Sequence, residues 1–460
     1  MDVTEAARWH FVGIGGYGMS GLAQVLHQMG EVVTGSDART SDRTARLEEA
    51  GVPVRLGHDP QNLGRATVVV YSTDVPADNP ELAAARERGL QLLHRSEVLA
   101  RLLNPRYGIA VTGTHGKTTT TSMISVILQR AGLEPTCLIG GELEAIGGTG
   151  RLGHGEYVVA EADESDGSFL RYTPQVAVVT NVEPEHLEHY GRDFGRVLDA
   201  YERFLGQVKP GGLIVLCGDD PRLRAMAPRQ ANPTVTYGLG EGNDLRLEDF
   251  QRQGGLSRYQ VLNRGASLGE FQLSIPGRHM ALNSLAALAV GMRLGLAPAV
   301  LFDALKGFGN AKRRFQVLGE AGGIRVIDDY AHHPTEIDAT LRAARDEARG
   351  RVAVVFQPQR YTRTHILMPE FARAFSQSDL LILTEIYSPP GEPSIPGVSS
   401  AALARMIEAR EGRPVELITD QESIVRRLLE LARPGDTVIT MGAGDIWKVG
   451  REFLRRLTSR

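Results

Sequence analysis

The chain is short of the features that mark secreted, membrane-spanning or nucleic-acid-binding proteins. Cysteine occurs twice in 460 residues, as Cys137 and Cys217, which is too few for a disulfide framework and fits a reducing compartment. Neither sign of charge dominates: 51 Lys and Arg stand against 55 Asp and Glu, a formal net charge of -4. That balance gives no reason to expect a polyanion such as DNA as partner. No apolar run reaches the roughly 20 residues that a membrane-spanning helix needs. The stretch Met1 to Trp9 lacks the basic-then-apolar order of a signal peptide. The expectation is a cytoplasmic protein with no nucleic-acid and no membrane partner. Short-period repeats and low-complexity tracts are also missing, which excludes a solenoid. Hydrophobic residues make up 42% and charged residues 23%, as in folded proteins. At roughly 100–200 residues per domain, the length implies three domains.

Glycine, by contrast, is plentiful at 52 residues, and it collects behind strand-like runs. Three strand–glycine-turn–helix units result. Trp9 to Gly13 leads into Gly15-Gly16-Tyr17-Gly18, Gly108 to Thr112 into Gly113 to Lys117, and Asp436 to Thr440 into Gly442-Ala443-Gly444. Between them short apolar runs alternate with helical patterns, a rhythm that implies parallel sheets flanked by helices. The fold class expected is α/β in three domains. These are a Rossmann-like N-terminal domain over 1–105, a P-loop ATPase-like central domain over 106–312 and a Rossmann-like C-terminal domain over 313–460. The breaker Asn104-Pro105 sets the first boundary and the linker-like Gly307 to Arg314 the second. Alternating residues from Asp244 to Ile275 read as antiparallel strands closing the central domain, followed by a helix from Ala281 to Leu294.

The first turn, with Gly13, Gly15, Gly16 and Gly18, matches G-x-G-x-x-G. Glycines let the backbone approach a diphosphate, and the following helix N-terminus adds amides and a positive dipole end. Asp37 lies where an acidic residue can bind a ribose hydroxyl. The physics suits NAD and a UDP-sugar equally, so an NAD-dependent dehydrogenase is one reading of this segment alone. The second turn, Gly113-Thr114-His115-Gly116-Lys117-Thr118-Thr119, reads as an ATP phosphate loop. In that reading Lys117 is exposed and neutralises phosphate charge, and the Thr118 hydroxyl reaches Mg²⁺. Next comes Glu161-Ala162-Asp163-Glu164-Ser165-Asp166. Its carboxylates repel one another unless a cation is present. Glu161 and His186, each beyond a strand end, can converge on one Mg²⁺, and a solvated acidic loop is the alternative. The cluster His186-Leu187-Glu188-His189 fits no zinc motif.

Together these segments resemble the Mur ligase family. Further residues carry the resemblance: Pro276-Gly277-Arg278-His279 with Asn283, Arg313-Arg314-Phe315, Asp328-Asp329-Tyr330-Ala331-His332-His333-Pro334-Thr335-Glu336, and Phe356-Gln357-Pro358 with Arg360, Tyr361 and Arg363. They span the whole chain in the family's order. The resemblance implies that Gly13 to Gly18 bind a UDP diphosphate, that Gly113 to Thr119 bind ATP, and that Glu161 and His186 hold magnesium. It puts His279 and Asn283 near adenine, Arg314 near phosphates and ribose, and Asp329 near the nucleotide. Tyr330, His332, Arg360 and Arg363 would form the pocket for the incoming amino acid and the reacting end of the sugar, with Lys117, His332, Arg360 and Arg363 as the catalytic set. The stretch His186 to Gln207 lacks the lysine that many members carry in carbamylated form, and in this it resembles the alanine-adding branch. Ala331 stands where glycine is expected, which a negative φ tolerates. The implied reaction joins L-alanine to the lactyl carboxylate of UDP-N-acetylmuramate through an acyl phosphate, with ATP and Mg²⁺. The close rival is a recycling ligase that adds a whole tripeptide to the same sugar.

Overall fold

A computed structural model describes residues 7–253, 255–388 and 392–459. The first sheet contains β1 (Arg8–Val12), β2 (Val32–Asp37), β3 (Val54–Leu56), β4 (Val68–Tyr71) and β5 (Gln91–His94), in the order 3-2-1-4-5. Each neighbouring pair is parallel. The order reverses between β1 and β4, so a crevice opens beyond the C-terminal ends of those strands. The turn from Gly13 to Gly18 leaves β1 at that point.

The second sheet collects β6 (Tyr107–Thr112), β7 (Thr136–Leu143), β8 (Gly148–Arg151), β9 (Tyr157–Glu161), β10 (Val176–Val179), β11 (Leu213–Cys217), β12 (Thr234–Gly238), β13 (Leu245–Gln253), β14 (Leu256–Asn263) and β15 (Ala266–Leu273). Its order is 15-14-13-12-11-10-6-9-7-8. Strand β6 lies between β10 and β9 and is parallel to both. The loops that leave these three strands therefore emerge side by side: Gly113 to Thr119, Asn181 to His189 and Ala162 to Asp166. The sequence-expected strands from Asp244 to Ile275 are β13 to β15. The helix expected from Ala281 begins three residues earlier, as Arg278–Arg293.

A third sheet holds β16 (Gln316–Ala321), β17 (Ile324–Asp329), β18 (Val352–Phe356), β19 (Leu380–Leu383), β20 (Glu416–Leu417) and β21 (Thr437–Met441), in the order 16-17-21-18-19-20. Only β16 pairs antiparallel. Successive residues of β18 serve opposite faces, as the two-residue strand period requires. Val352, Val354 and Phe356 pack into one core and Ala353 and Val355 into the other. Both faces are thus covered, and the strand reads as an unbroken apolar run.

Cα proximity divides the chain into two compact units. One comprises residues 1–250, 258–274 and 281–311, and the other 251–257, 275–280 and 312–460. Inside the first unit, the helix Tyr17–Gln28 packs on β8. A Cβ on Gly21 would lie 3.0 Å from the Thr149 carbonyl oxygen, and Ser20 Oγ bonds Thr149 Oγ1 at 3.0 Å. Small residues let two backbones touch here, which ties the first sheet to the second.

A buried polar knot locks the first sheet. The Glu81 carboxylate accepts from Ser36 Oγ at 2.6 Å, Asn62 Nδ2 at 2.7 Å and the Asp59 amide at 3.1 Å, and it faces His10 Nε2 at 3.1 Å. Both Glu81 and His10 are fully buried. Burial raises the Glu81 pKa, but the bonds from His10, Ser36 and Asn62 outweigh it and bring it down to about 2. A depressed carboxylate adds stability above its unfolded pKa of about 4.3 and loses it as pH falls through the folded value. Glu81→Gln should therefore cost about 3 kcal/mol at pH 7. In urea titrations the deficit should shrink steadily as the pH is lowered from about 4.5 toward 2. A pH-independent deficit would mean that packing, not charge, is what Glu81 supplies.

Candidate active site

The glycine turn after β1 is closed by its neighbours. The amides of Gly13 and Ile14 both donate to the Ser36 carbonyl at 2.9 Å. The Gly15 amide donates to Asp37 Oδ2 at 2.8 Å, and a Cβ on Gly15 would stand 2.9 Å from that oxygen. Asp37, read from sequence as a ribose ligand, is here engaged with the turn itself. A side chain at Gly15 would press on the Asp37 carboxylate and on Thr44. Gly16 caps the helix Tyr17–Gln28 without a side-chain bond. Arg95 Nη1 lies 3.5 Å from the Cβ position of Gly18.

The loop after β6 is held from behind by the loop after β10. The amides of Thr114 and His115 donate to the Asn181 carbonyl at 3.1 Å and to Asn181 Oδ1 at 2.8 Å. The His115 carbonyl accepts from Thr180 Oγ1 at 2.5 Å and Asn181 Nδ2 at 3.0 Å. Gly113 adopts φ +129°, and a Cβ there would collide with the Thr180 hydroxyl. Gly116, at φ +82°, opens the helix Lys117–Arg130, and the Asn283 side chain lies against it. Thr119 Oγ1 reaches Asn310 Oδ1 at 3.5 Å, and His115 Nε2 stands 3.5 Å from Glu183 Oε2. Lys117 departs from the sequence expectation of exposure. It is the first helical residue, only 20% exposed, and its ammonium donates to Gly113 O at 2.5 Å, Thr114 O at 3.2 Å and Glu164 Oε1 at 2.8 Å. Burial lowers its pKa, yet the Glu164 and Asp163 carboxylates raise it above the ordinary lysine value.

The acidic run after β9 was expected to need a cation to offset its mutual repulsion. The protein supplies most of that compensation itself. Asp163 pairs with Arg95 Nη2 at 2.5 Å, Glu164 with Lys117, and Asp166 accepts from Thr73 Oγ1 at 2.5 Å and the Ser168 amide at 2.9 Å. Burial raises the Asp163 pKa, but Arg95 and Lys117 together hold it well below the usual carboxylate range. A solvated acidic loop is excluded for Glu164, which is buried. Sequence reasoning missed Arg95 and Glu164. The signal available was weak: Arg95 simply opens the helix Arg95–Leu103.

Glu161 ends β9, and its Oε1 accepts from the Gly140 amide at 2.6 Å. A Cβ on Gly140 would sit 2.5 Å from Glu161 Oε2, and one on Gly141 would sit 2.9 Å from Thr118 Cγ2. Gly140 thus leaves room for the Glu161 carboxylate, and Gly141 for the Thr118 methyl. The Glu161 carboxylate and the Thr118 hydroxyl are by type the hard oxygen donors that magnesium prefers. His186 lies on the other side of the loop after β6, at φ +55°, with Glu185 and Glu188 oxygens 3.9 and 4.0 Å from its ring nitrogens.

In the second unit, Asp329 ends β17 and is buried. Its oxygens accept from the Phe315 amide at 2.6 Å and the Ala331 amide at 2.7 Å. Burial raises its pKa to about 6 against the opposing pull of Arg314. Arg314 faces Glu336 at 3.7 Å and lies 5.3 Å over the Tyr330 ring. The His332 Nδ1 donates to the Tyr330 carbonyl at 2.9 Å, which fixes Nε2 as the basic nitrogen. Ala331 keeps a φ that any residue adopts. Burial and Arg252 push His279 down to about 4, with Arg314 adding to this and Glu336 opposing it, so His279 is neutral at pH 7. Arg360 has φ +68° and donates its amide to Tyr387 O at 2.9 Å. Arg363 is buried and bonds Gln359 Oε1 at 2.6 Å, which excludes a solvated arginine pair. The late turn Gly442 to Gly444 is occupied by Arg313, which donates to both glycine carbonyls and to Asp328.

A lysine-bearing loop between parallel strand ends, opening a helix beside a second glycine turn, defines a P-loop nucleotide-binding enzyme of α/β architecture. Three family models match in succession: the "Mur ligase family, catalytic domain" over residues 8–107, the "Mur ligase middle domain" over 111–291 and the "Mur ligase, glutamate ligase domain" over 313–444. The chain belongs to the Mur ligase family. It is 59% identical to a UDP-N-acetylmuramate–L-alanine ligase of Symbiobacterium thermophilum, covering all of this chain and 96% of that one. A ligase of the same name from Pelotomaculum thermopropionicum is 49% identical, with 97% of each chain covered. Among solved structures, the UDP-N-acetylmuramate–alanine ligase of Thermotoga maritima superposes with a TM-score of 0.85 at 29% identity, covering 98% of this chain and 99% of that one.

Asp329 gives a pH signature. Because its folded pKa is raised, its favourable contribution is complete below the unfolded value of about 3.9. It is lost as pH rises through 6. Thermal unfolding of the ligand-free protein should show this loss between pH 4 and 6, and Asp329→Asn should flatten it. An identical pH slope in the two proteins would assign the carboxyl an ordinary titration.

Proposed function

We propose that this chain joins L-alanine to the lactyl carboxylate of UDP-N-acetylmuramate, converting ATP to ADP and phosphate. The observation that carries the reading is the 59% identity, over the whole chain, to a ligase named for that reaction. A carboxylate is a poor electrophile, so the γ-phosphoryl group is first transferred to it. The alanine amine then attacks the acyl phosphate, a C–N bond forms, the C–O bond to phosphate breaks, and the amine loses a proton. In this reading residues 1–105 bind the UDP-sugar, 106–312 bind ATP and 313–460 complete the site.

The residues take the following parts. Gly13, Gly15, Gly16 and Gly18 offer the helix N-terminus to the diphosphate, and Asp37, which braces the turn, also binds the ribose. Gly113, Thr114, His115, Gly116, Lys117, Thr118 and Thr119 cradle the ATP phosphates. Lys117 stabilises charge on the transferring phosphoryl group. Asn283 and His279 border the adenine, a neutral His279 being suited to contact an uncharged base. Arg314 and Asp329 meet the nucleotide, and Tyr330, Arg360 and Arg363 shape the amino-acid pocket. His332, basic at Nε2, is the candidate that takes the amine proton. Thr118, Glu161 and His186 would hold Mg²⁺, which when bound neutralises phosphate charge. ATP and nucleotide sugars are cytoplasmic metabolites, so the reaction belongs in the cytoplasm.

The test is phosphate release from ATP with UDP-N-acetylmuramate and each amino acid in turn. L-alanine should give the highest kcat/KM. Release only with a tripeptide would replace this reading by the recycling ligase, and tight NAD binding without response to the UDP-sugar would remove it. Lys117→Ala should lower kcat by roughly a hundredfold or more, with the fold retained by circular dichroism. Glu161→Gln should shift the Mg²⁺ titration to higher concentration, because a hard cation loses a carboxylate. An unchanged titration would leave Glu161 as a brace for Gly140 alone.

A further inference from the structure

The Lys117 ammonium has three protons and three acceptors. Two acceptors are the loop's own carbonyls, Gly113 O at 2.5 Å and Thr114 O at 3.2 Å. The third, Glu164 Oε1 at 2.8 Å, is the only one that carries a charge. Glu164 is not a casual surface partner. It is buried, its second oxygen accepts from Thr112 Oγ1 at 3.3 Å, and its backbone carbonyl accepts from the Tyr190 hydroxyl and, at 3.1 Å, from the Gly167 amide. The other carboxylates of the run have hydrogen-bond partners elsewhere: Asp163 with Arg95, Asp166 with Thr73, and Glu161 with the Gly140 amide. Asp163 and Glu161 add their charge to the lysine's surroundings, but the carboxylate that bonds its ammonium is Glu164, held at both oxygens and along its backbone.

We infer that Glu164 is a positioning residue that acts as a built-in anion: it holds the Lys117 ammonium as a phosphate would and competes with the incoming nucleotide. The inference rests on the reading of Gly113 to Thr119 as the ATP loop. A phosphate oxygen that reaches Lys117 must take over one of its three bonds. The two carbonyls belong to the backbone that forms the cradle and move only with it. Glu164 is the partner that a phosphate can replace in kind, anion for anion. Whether Lys117 leaves Glu164 entirely or is shared, a fixed negative charge beside a polyanion site opposes binding. A ligand shifts an equilibrium only by its differential affinity for the two states. Stabilising the lysine in the empty state therefore weakens apparent nucleotide affinity. A glutamine keeps shape and an acceptor oxygen for Lys117 but removes the charge.

The experiment is isothermal calorimetry of the full chain with ADP in EDTA, so that no metal contributes. Glu164→Gln should bind ADP roughly tenfold more tightly than the wild type, with a lower melting temperature when empty and a larger thermal shift on ADP addition. A second variant, Thr112→Val, removes only the hydroxyl that holds the far oxygen of Glu164, and a gain of a few-fold in ADP affinity is expected. It serves if Glu164→Gln does not fold. Equal or weaker ADP affinity in folded Glu164→Gln, or in Thr112→Val if that is the variant that folds, would overturn the inference. A purely structural role would lower stability without ever improving affinity. No ADP binding by the wild type would instead count against the loop as an ATP site, so the two failures are distinguishable.

Discussion

An ammonium group withdrawn from water must find anions or carbonyls, and at Lys117 it finds both. That requirement organises the region around it. Glu164 must be near enough to pair, so the segment after β9 must run beside the loop after β6, which the parallel pairing of β6 and β9 ensures. Asp163, whose charge also acts on Lys117, pairs directly with Arg95, which comes from the end of β5 at the edge of the first sheet. One charge-compensation problem thus reaches from the phosphate loop to the glycine turn. Burial alone disfavours the charged form of Lys117 and Asp163, and their partners reverse that.

Close backbone packing does the rest of the joining. Gly21 against Thr149, and Gly140 against Glu161, are places where a side chain would push two segments apart. The loop after β6 has no room for slack either. Thr180 and Asn181 fix it by four bonds to its backbone, with amides accepted and a carbonyl satisfied from the same neighbouring strand end. Such a preorganised loop can receive charge without first rearranging, which is where electrostatic stabilisation of a transition state comes from.

The second unit solves a similar problem with arginine. Arg313, in a left-handed backbone conformation, reaches Asp328, Gly442 and Gly444, and so staples the ends of β17 and β21 together. That leaves Arg314, its neighbour, directed at Glu336 and the Tyr330 face. Two adjacent arginines with different tasks explain why Arg313-Arg314-Phe315 is a run and not a single residue: Phe315 donates its amide to Asp329 and closes the same corner.

Periodicity, glycine turns and breaker residues determined the α/β class, three mainly parallel sheets and the glycine-rich loop after β6, because these depend on contacts close along the chain. Sequence also placed Glu161 and Lys117 at strand and helix ends, since the residues after a strand define where its C-terminal edge lies. What it could not supply was the partner of each charge. Lys117 and Glu164 are 47 residues apart, Arg95 and Asp163 are 68, and nothing local links them. The same holds for Asp37, an acidic residue in a ribose-binding position by spacing, which turns inward to the Gly15 amide only because β1 and β2 are adjacent. Burial, the identity of the counter-charge and the direction of a carboxylate are properties of strand order. Strand order is decided only when the whole sheet forms.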